Sequence, residues 1–208
     1  MAESHTSTDN SPDSCAVRAA IRQQCLAARI ALAQTPAHHA NRSALIQRHL
    51  IAWFSQQAPS SFSFCAAVRG EFDCEPLAVH LISLGWRASM AVASDPATAL
   101  SFRHWTPEAP MTADRYGIPV PQTSSVAAPE VLLIPLVAFD DEGYRLGYGG
   151  GFFDRTLAGL ADASPKPIAI GVGFALSRVD SVLPQAHDQQ MNLIVTENGI
   201  LATPLLSG

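Results

Sequence analysis

The sequence predicts an α/β fold: a three-layer sandwich around a largely parallel sheet with helices on both faces, Rossmann-like in arrangement. Three observations lead there. Short apolar runs alternate along the chain with stretches whose apolar residues recur at helical spacing. Runs such as Val131–Pro135 and Ile168–Phe174 are apolar throughout instead of alternating, as strands covered on both faces are. Finally, 208 residues that are 48% hydrophobic and 15% charged suffice for a substantial core in one domain.

The elements follow in order. The polar opening, residues 1–14, has no periodicity and is expected to be a disordered tail before a single domain over residues 15–208. Ile21, Cys25, Ala28 and Leu32 then form the apolar stripe of an amphipathic helix. At about 100° per residue Arg18, Arg22 and Arg29 share an arc of about 40° at the edge of that stripe, either as a solvated row or converging on an anion. A second helix is expected over His38–Phe54, with Leu45, Ile46, His49, Leu50 and Trp53 on one side. Phe64–Val68 reads as a strand, Pro76–Leu84 as a helix closed by Gly85, and Ala88–Ala93 and Leu100–Trp105 as strands. Val131–Pro135 is a buried strand, Phe152–Ala161 a helix, Ile168–Phe174 a strand and Leu193–Thr196 a last short one.

Composition narrows the function. A formal net charge of -5 argues against a broad nucleic-acid surface, so any anion site is local. The four cysteines, Cys15, Cys25, Cys65 and Cys74, contain no C-x-x-C pair and are expected to be reduced. His38 and His39 point to different faces of their helix, and a shared metal is not expected there. The chain opens with no secretory pattern and has no apolar run long enough to span a bilayer, which points to a cytoplasmic protein without membrane contact.

In an open α/β sheet the ligand crevice lies beyond the carboxyl ends of the strands, which singles out RGEFD, the stretch from Ala138 to Arg155, and SVLPQAHD. Within the second, RLGYGGGFFDR concentrates Gly147, Gly149, Gly150 and Gly151 between Arg145 and Arg155. It is neither G-x-G-x-x-G nor a P-loop. Its order, strand, loop, glycines, helix, nevertheless leaves main-chain N–H groups free at a helix N-terminus, where partial positive charge favours phosphate. Asp154 has two readings: a carboxylate holding Mg²⁺ against a nucleoside triphosphate, or one that stabilises the first helical turn.

The stretch IPLVAFDDEGYRLGYGGGFFDRTL resembles the signature of the 5-formyltetrahydrofolate cyclo-ligase family. IRQQCLAAR, GEFD, FRHW, YGIPVPQ, LPQAHD and NLIVTENGI resemble further family segments in the same order, covering about Arg18 to Ile200. The resemblance implies ring closure of 5-formyltetrahydrofolate to 5,10-methenyltetrahydrofolate with ATP and Mg²⁺, through phosphorylation of the formyl oxygen and attack by N10. It implies ATP contacts from Arg18, Arg22, Arg145, Leu146, Gly147, Tyr148, Gly149, Gly150, Gly151, Phe152 and Phe153. It also implies folate contacts from Glu71, Tyr148, Gly149, Gly150, Gly151 and Phe152, Mg²⁺ held by Asp154 and Asp188, and catalysis by Arg145 and Asp154. A monomer acting on a small molecule is expected.

Two departures stand out. Phe152 and Phe153 replace tyrosines common in the family, which keeps the rings and loses the hydroxyls, and Ser177 stands where a glutamine is usual. They motivate two alternatives: a folate-binding relative without turnover, or an ATP-dependent enzyme for another formylated substrate. His187 is either an acid–base group or a residue that shapes its turn.

Overall fold

The computed structural model describes residues 12–207. In chain order its elements are α1 (Pro12–Ala33), α2 (Pro36–Phe54), β1 (Ser61–Phe64), α3 (Glu75–Ser83), β2 (Arg87–Val92), β3 (Ser101–His104), β4 (Met111–Ala113), β5 (Pro119–Pro121), β6 (Ser125–Val126) and β7 (Val131–Pro135). β8 (Ala138–Phe139), β9 (Arg145–Leu146), α4 (Phe152–Gly159), β10 (Ile168–Val172), a 3-10 turn (Ala175–Ser177), β11 (Leu193–Thr196), β12 (Gly199–Ala202) and α5 (Pro204–Ser207) follow.

The eight-stranded sheet runs β12-β11-β10-β7-β1-β2-β3-β6. Its five central strands, β11, β10, β7, β1 and β2, pair in parallel, while β12 on one side and β3 followed by β6 on the other pair antiparallel. Alternation along β7 builds the layers: Val131 and Leu133 face α2 and α3, Leu132 and Ile134 face α4. Ile46, Leu50 and Phe54 of α2 and Leu77, Ala78 and Leu81 of α3 are buried on the first face, and Leu157 of α4 on the second. The expected α/β sandwich with helices on both faces is therefore present, and no described helix is long and apolar enough to cross a membrane.

Differences from the expected elements have local causes. α1 begins at Pro12, three residues ahead of the expected boundary at Cys15. Proline lacks an N–H that the first turn would leave unsatisfied anyway, and Asp13 suits the positive end of the helix. The rest of the polar opening, residues 1–11, lies outside the described chain. The first strand covers Ser61–Phe64, not Phe64–Val68: Phe62 and Phe64 supply its buried alternation, after which the chain leaves the sheet for a tight turn. The short strands β4, β5, β6, β8, β9 and β12 have two to four residues each, too few to display a period. The described cysteines are free thiols.

The topology places the crevice. From β1 the chain moves outward to β2 and β3, then returns to lay β7 against the other side of β1. The direction of winding reverses between β1 and β7, and the loops leaving their carboxyl ends carry Glu71 and the glycine stretch.

Candidate active site

α1 lies across these loops, its Ile21, Cys25 and Leu26 packing with Val137, Ala138 and Leu146 of the β8–β9 hairpin. Its arginine row turns inward. Arg18, 5% exposed, grips Asp188 with both terminal nitrogens at 2.6 and 3.1 Å and donates to the Leu183 carbonyl at 2.7 Å. Arg22 donates from Nε to the Gly147 carbonyl at 3.0 Å, and burial, reinforced by the nearby Arg18 charge, holds its pKa below the usual range. Arg29, 2% exposed, donates to the Leu136 carbonyl at 2.9 Å and to the Tyr148 hydroxyl.

That hydroxyl in turn donates to Glu71 Oε1 at 2.8 Å, with the Arg29 guanidinium 3.5 Å from the same oxygen, while the Val68 N–H donates to Glu71 Oε2 at 3.0 Å. Burial raises the Glu71 carboxyl above its ordinary value, opposed by Arg29 and by the hydrogen bonds from Val68 and Tyr148. Tyr148 is also pushed up, first by burial and then by the Glu71 charge. Arg29, Tyr148 and Glu71 form one coupled network at the β1–β7 switch point.

Beyond it runs the glycine loop. The hairpin of β8 and β9 pairs Phe139 with Arg145 and Ala138 with Leu146, and the Leu146 carbonyl accepts from Val137. Leu146 itself faces the core, so it anchors the loop from below. After it, no described group accepts a hydrogen bond from the main-chain N–H of Gly147, Tyr148, Gly149, Gly150 or Gly151. Gly149 and Gly151 take φ of 97° and 64°, the left-handed region that a side chain resists, and a Cβ at Gly147 or Gly149 would meet nothing within 4 Å. Gly147 and Gly149 therefore border open space, while a Cβ at Gly150 or Gly151 would meet Phe152 or Arg155 within 3 Å.

The walls of this loop are charged and aromatic. Arg145, 6% exposed, donates to Asp154 Oδ1 and to the Gln189 carbonyl, both at 3.1 Å, and lies over the Phe153 ring. Burial holds its pKa low, with Asp154 opposing. Asp154 Oδ1 also accepts the Gln189 N–H at 3.1 Å, leaving Oδ2 without a hydrogen bond among the described residues. Arg155 holds the loop by donating to the Gly150 carbonyl at 2.7 Å and caps the Phe152 ring.

Among the described residues no three metal-binding side chains cluster. Mg²⁺ characteristically takes one or two carboxylates and completes its shell with water and substrate phosphates. Asp154 fits that pattern through Oδ2. Asp188 has both oxygens occupied by Arg18, and Oδ2 also accepts the Gln185 N–H at 2.8 Å. His187 is largely exposed, with Nε2 3.7 Å from Asp188 Oδ1, and Ser177 is fully buried with an unpartnered hydroxyl.

The family model described as the 5-formyltetrahydrofolate cyclo-ligase family matches residues 14–197. The chain belongs to that family. The 5-formyltetrahydrofolate cyclo-ligase of Escherichia coli K12 is 31% identical over 137 residues, covering 63% of this chain and 74% of the relative. That of Haemophilus influenzae is 29% identical over 177 residues, covering 82% and 91%. The fold matches the solved 5,10-methenyltetrahydrofolate synthetases of Mycoplasma pneumoniae and Aquifex aeolicus with TM-scores of 0.70 and 0.72, each at 22% identity. The first match covers 86% of this chain and 98% of the other, the second 90% and 93%.

Arg29 and Tyr116 join this candidate site without having been singled out as site residues, and Arg69 stands outside it at its edge. Arg29 is foreshadowed by its place in the arginine arc. Tyr116 meets the Phe152 ring edge-on with centroids 6.0 Å apart, and Arg69 lies over the Tyr148 ring. The one sequence signal for Tyr116 is membership of YGIPVPQ, which gives no contact with Phe152, because that contact depends on the β4–β5 hairpin folding back toward α4.

Proposed function

We propose that the chain catalyses ATP-dependent cyclisation of 5-formyltetrahydrofolate to 5,10-methenyltetrahydrofolate, releasing ADP and phosphate, as one domain that includes α1 from Pro12 onward. The observation that carries this reading is the row of unaccepted main-chain N–H groups at Gly147–Gly151, beside the buried Arg145–Asp154 pair. Such amides stabilise a phosphate chain without needing side-chain charge, which suits a protein of net charge -5.

ATP supplies the phosphoryl group that turns the formyl oxygen into a leaving group. N10 then attacks the carbon of the O-phosphorylated formyl group and gives up its proton to solvent, and phosphate departs with the former formyl oxygen as the C–O bond breaks. The protein's share is positioning and neutralisation of charge. Gly147–Gly151 cradle phosphate oxygens, and Arg145 and Arg22 place positive charge beside them. Asp154 Oδ2 would hold Mg²⁺, which when bound would supply charge neutralisation for the phosphates. Arg18 and Asp188, locked together, set the shape of the wall that leads to Gln189, and in the family reading they stand on the phosphate and metal side of the site. Glu71 keeps a second lone pair on each oxygen and accepts from ring N–H groups of the pterin. Phe152, Phe153 and Tyr148 supply ring faces. We place the enzyme in the cytoplasm as a monomer that meets its small-molecule substrates by diffusion.

Incubating the protein with ATP, Mg²⁺ and 5-formyltetrahydrofolate is expected to produce the methenyl absorbance band, and omitting ATP to abolish it. A flat trace from folded protein would reject the reading, and measured folate binding without ADP release would favour a non-catalytic relative.

A further inference from the structure

Between β1 and α3 the chain turns sharply at Val68–Glu71, where the Glu71 N–H donates to the Val68 carbonyl at 3.1 Å. Both central residues have positive φ, 49° at Arg69 and 77° at Gly70. Gly70 has a steric reason to be glycine: a Cβ there would lie 2.8 Å from the Ala33 Cβ and 3.3 Å from the Arg29 carbonyl. Arg69 has none. A long side chain in the left-handed region is costly, and Gly or Asn would relieve it. The backbone role of Arg69, accepting from Arg29 Nε at 3.2 Å, would survive either replacement.

Its side chain is exposed and makes no ion pair or hydrogen bond with a described residue. The guanidinium lies 5.4 Å from the centroid of the Tyr148 ring, which is itself 46% exposed and bonds Glu71 through its hydroxyl. The turn therefore projects one cation, without a hydrogen bond or ion pair among the described residues, over the exposed Tyr148 ring whose hydroxyl bonds the buried Glu71. An exposed planar fork in that position matches a carboxylate arriving from solvent.

Resting on the cyclo-ligase reading, we propose that Arg69 is a substrate-positioning residue whose guanidinium binds a carboxylate of the folate's glutamyl tail. The pterin end lies against Glu71, and the flexible anionic end reaches back over Tyr148 to Arg69. The strain of the turn is retained for this contact.

The test uses Arg69→Gly, which keeps the turn, and Arg69→Lys, which keeps charge without the fork. Arg69→Gly is expected to melt no lower than the wild type while its KM for 5-formyltetrahydrofolate triglutamate rises by roughly three- to tenfold, the range of one partly screened charged contact. The KM for ATP and that for a 5-formyl tetrahydropterin lacking the tail should stay where they were, and Arg69→Lys should fall between. Equal KM values for the triglutamate in wild type and Arg69→Gly, or an equal rise for the tail-less substrate, would overturn the proposal. If the wild type shows no turnover the cyclo-ligase reading fails instead. Calorimetric titration of p-aminobenzoyl triglutamate into both proteins then still decides the role of Arg69: weaker binding to the variant supports it, and equal binding refutes it.

Discussion

Asp154 answers to two groups at once: Arg145 and the Gln189 N–H share Oδ1, while Oδ2 stays available. Asp154→Asn keeps an acceptor for Arg145 but removes the charge that a cation needs and that balances the buried guanidinium, so turnover should fall by about 100-fold or more and the melting temperature should drop as well. Unchanged turnover would leave Asp154 as a structural partner of Arg145 alone. Glu71 makes a pH-dependent case. Its folded pKa is raised above 4.5, chiefly by burial, so the folded state holds a proton that the unfolded state has lost. The stability it contributes is complete below 4.5 and disappears as pH rises through the folded pKa. The melting-temperature difference between wild type and Glu71→Gln should therefore move against the wild type on going from acid to neutral pH. A constant difference would show that the carboxyl titrates alike in both states.

The glycine loop, as an element, distinguishes space from strain. Gly147 has ordinary φ and an open Cβ direction, so Gly147→Ala should change stability by less than about 0.5 kcal/mol and still impair turnover, because the methyl enters ligand space. Gly70→Ala combines positive φ with contact on α1 and should destabilise by about 1 to 3 kcal/mol. Denaturant melts and rate assays on the two variants separate these outcomes; full activity in Gly147→Ala would mean that the loop does not border the substrate. Helix α1 connects the two regions, since Arg18, Arg22 and Arg29 on one face reach Asp188, Gly147 and the Glu71–Tyr148 network. Their common arc was legible at 3.6 residues per turn, but whether it faced water or a ligand was not.

For the whole molecule, the site is distributed over α1, the turn after β1, the β9–α4 loop and the segment before β11, so ligand should bind the folded chain and not the unfolded one. A nonhydrolysable ATP analogue with Mg²⁺ at about 100 times its Kd should raise the melting temperature by roughly 5 to 10 °C. Chelating the metal should remove most of the shift; an equal shift without metal would argue against Asp154 as its ligand.

The long elements were readable because each carries its own period: α2, β7 and β11 fall close to where the apolar pattern puts them. The glycine loop was readable because conformational freedom is a property of residue type. What only tertiary structure decided are the pairings: Arg18 with Asp188 across 170 residues, Tyr148 with Glu71 across 77, and Tyr116 against Phe152. Such partners are chosen by how the sheet winds and where its direction reverses, and local sequence says nothing about the distance between two residues whose separation is closed only when the core packs.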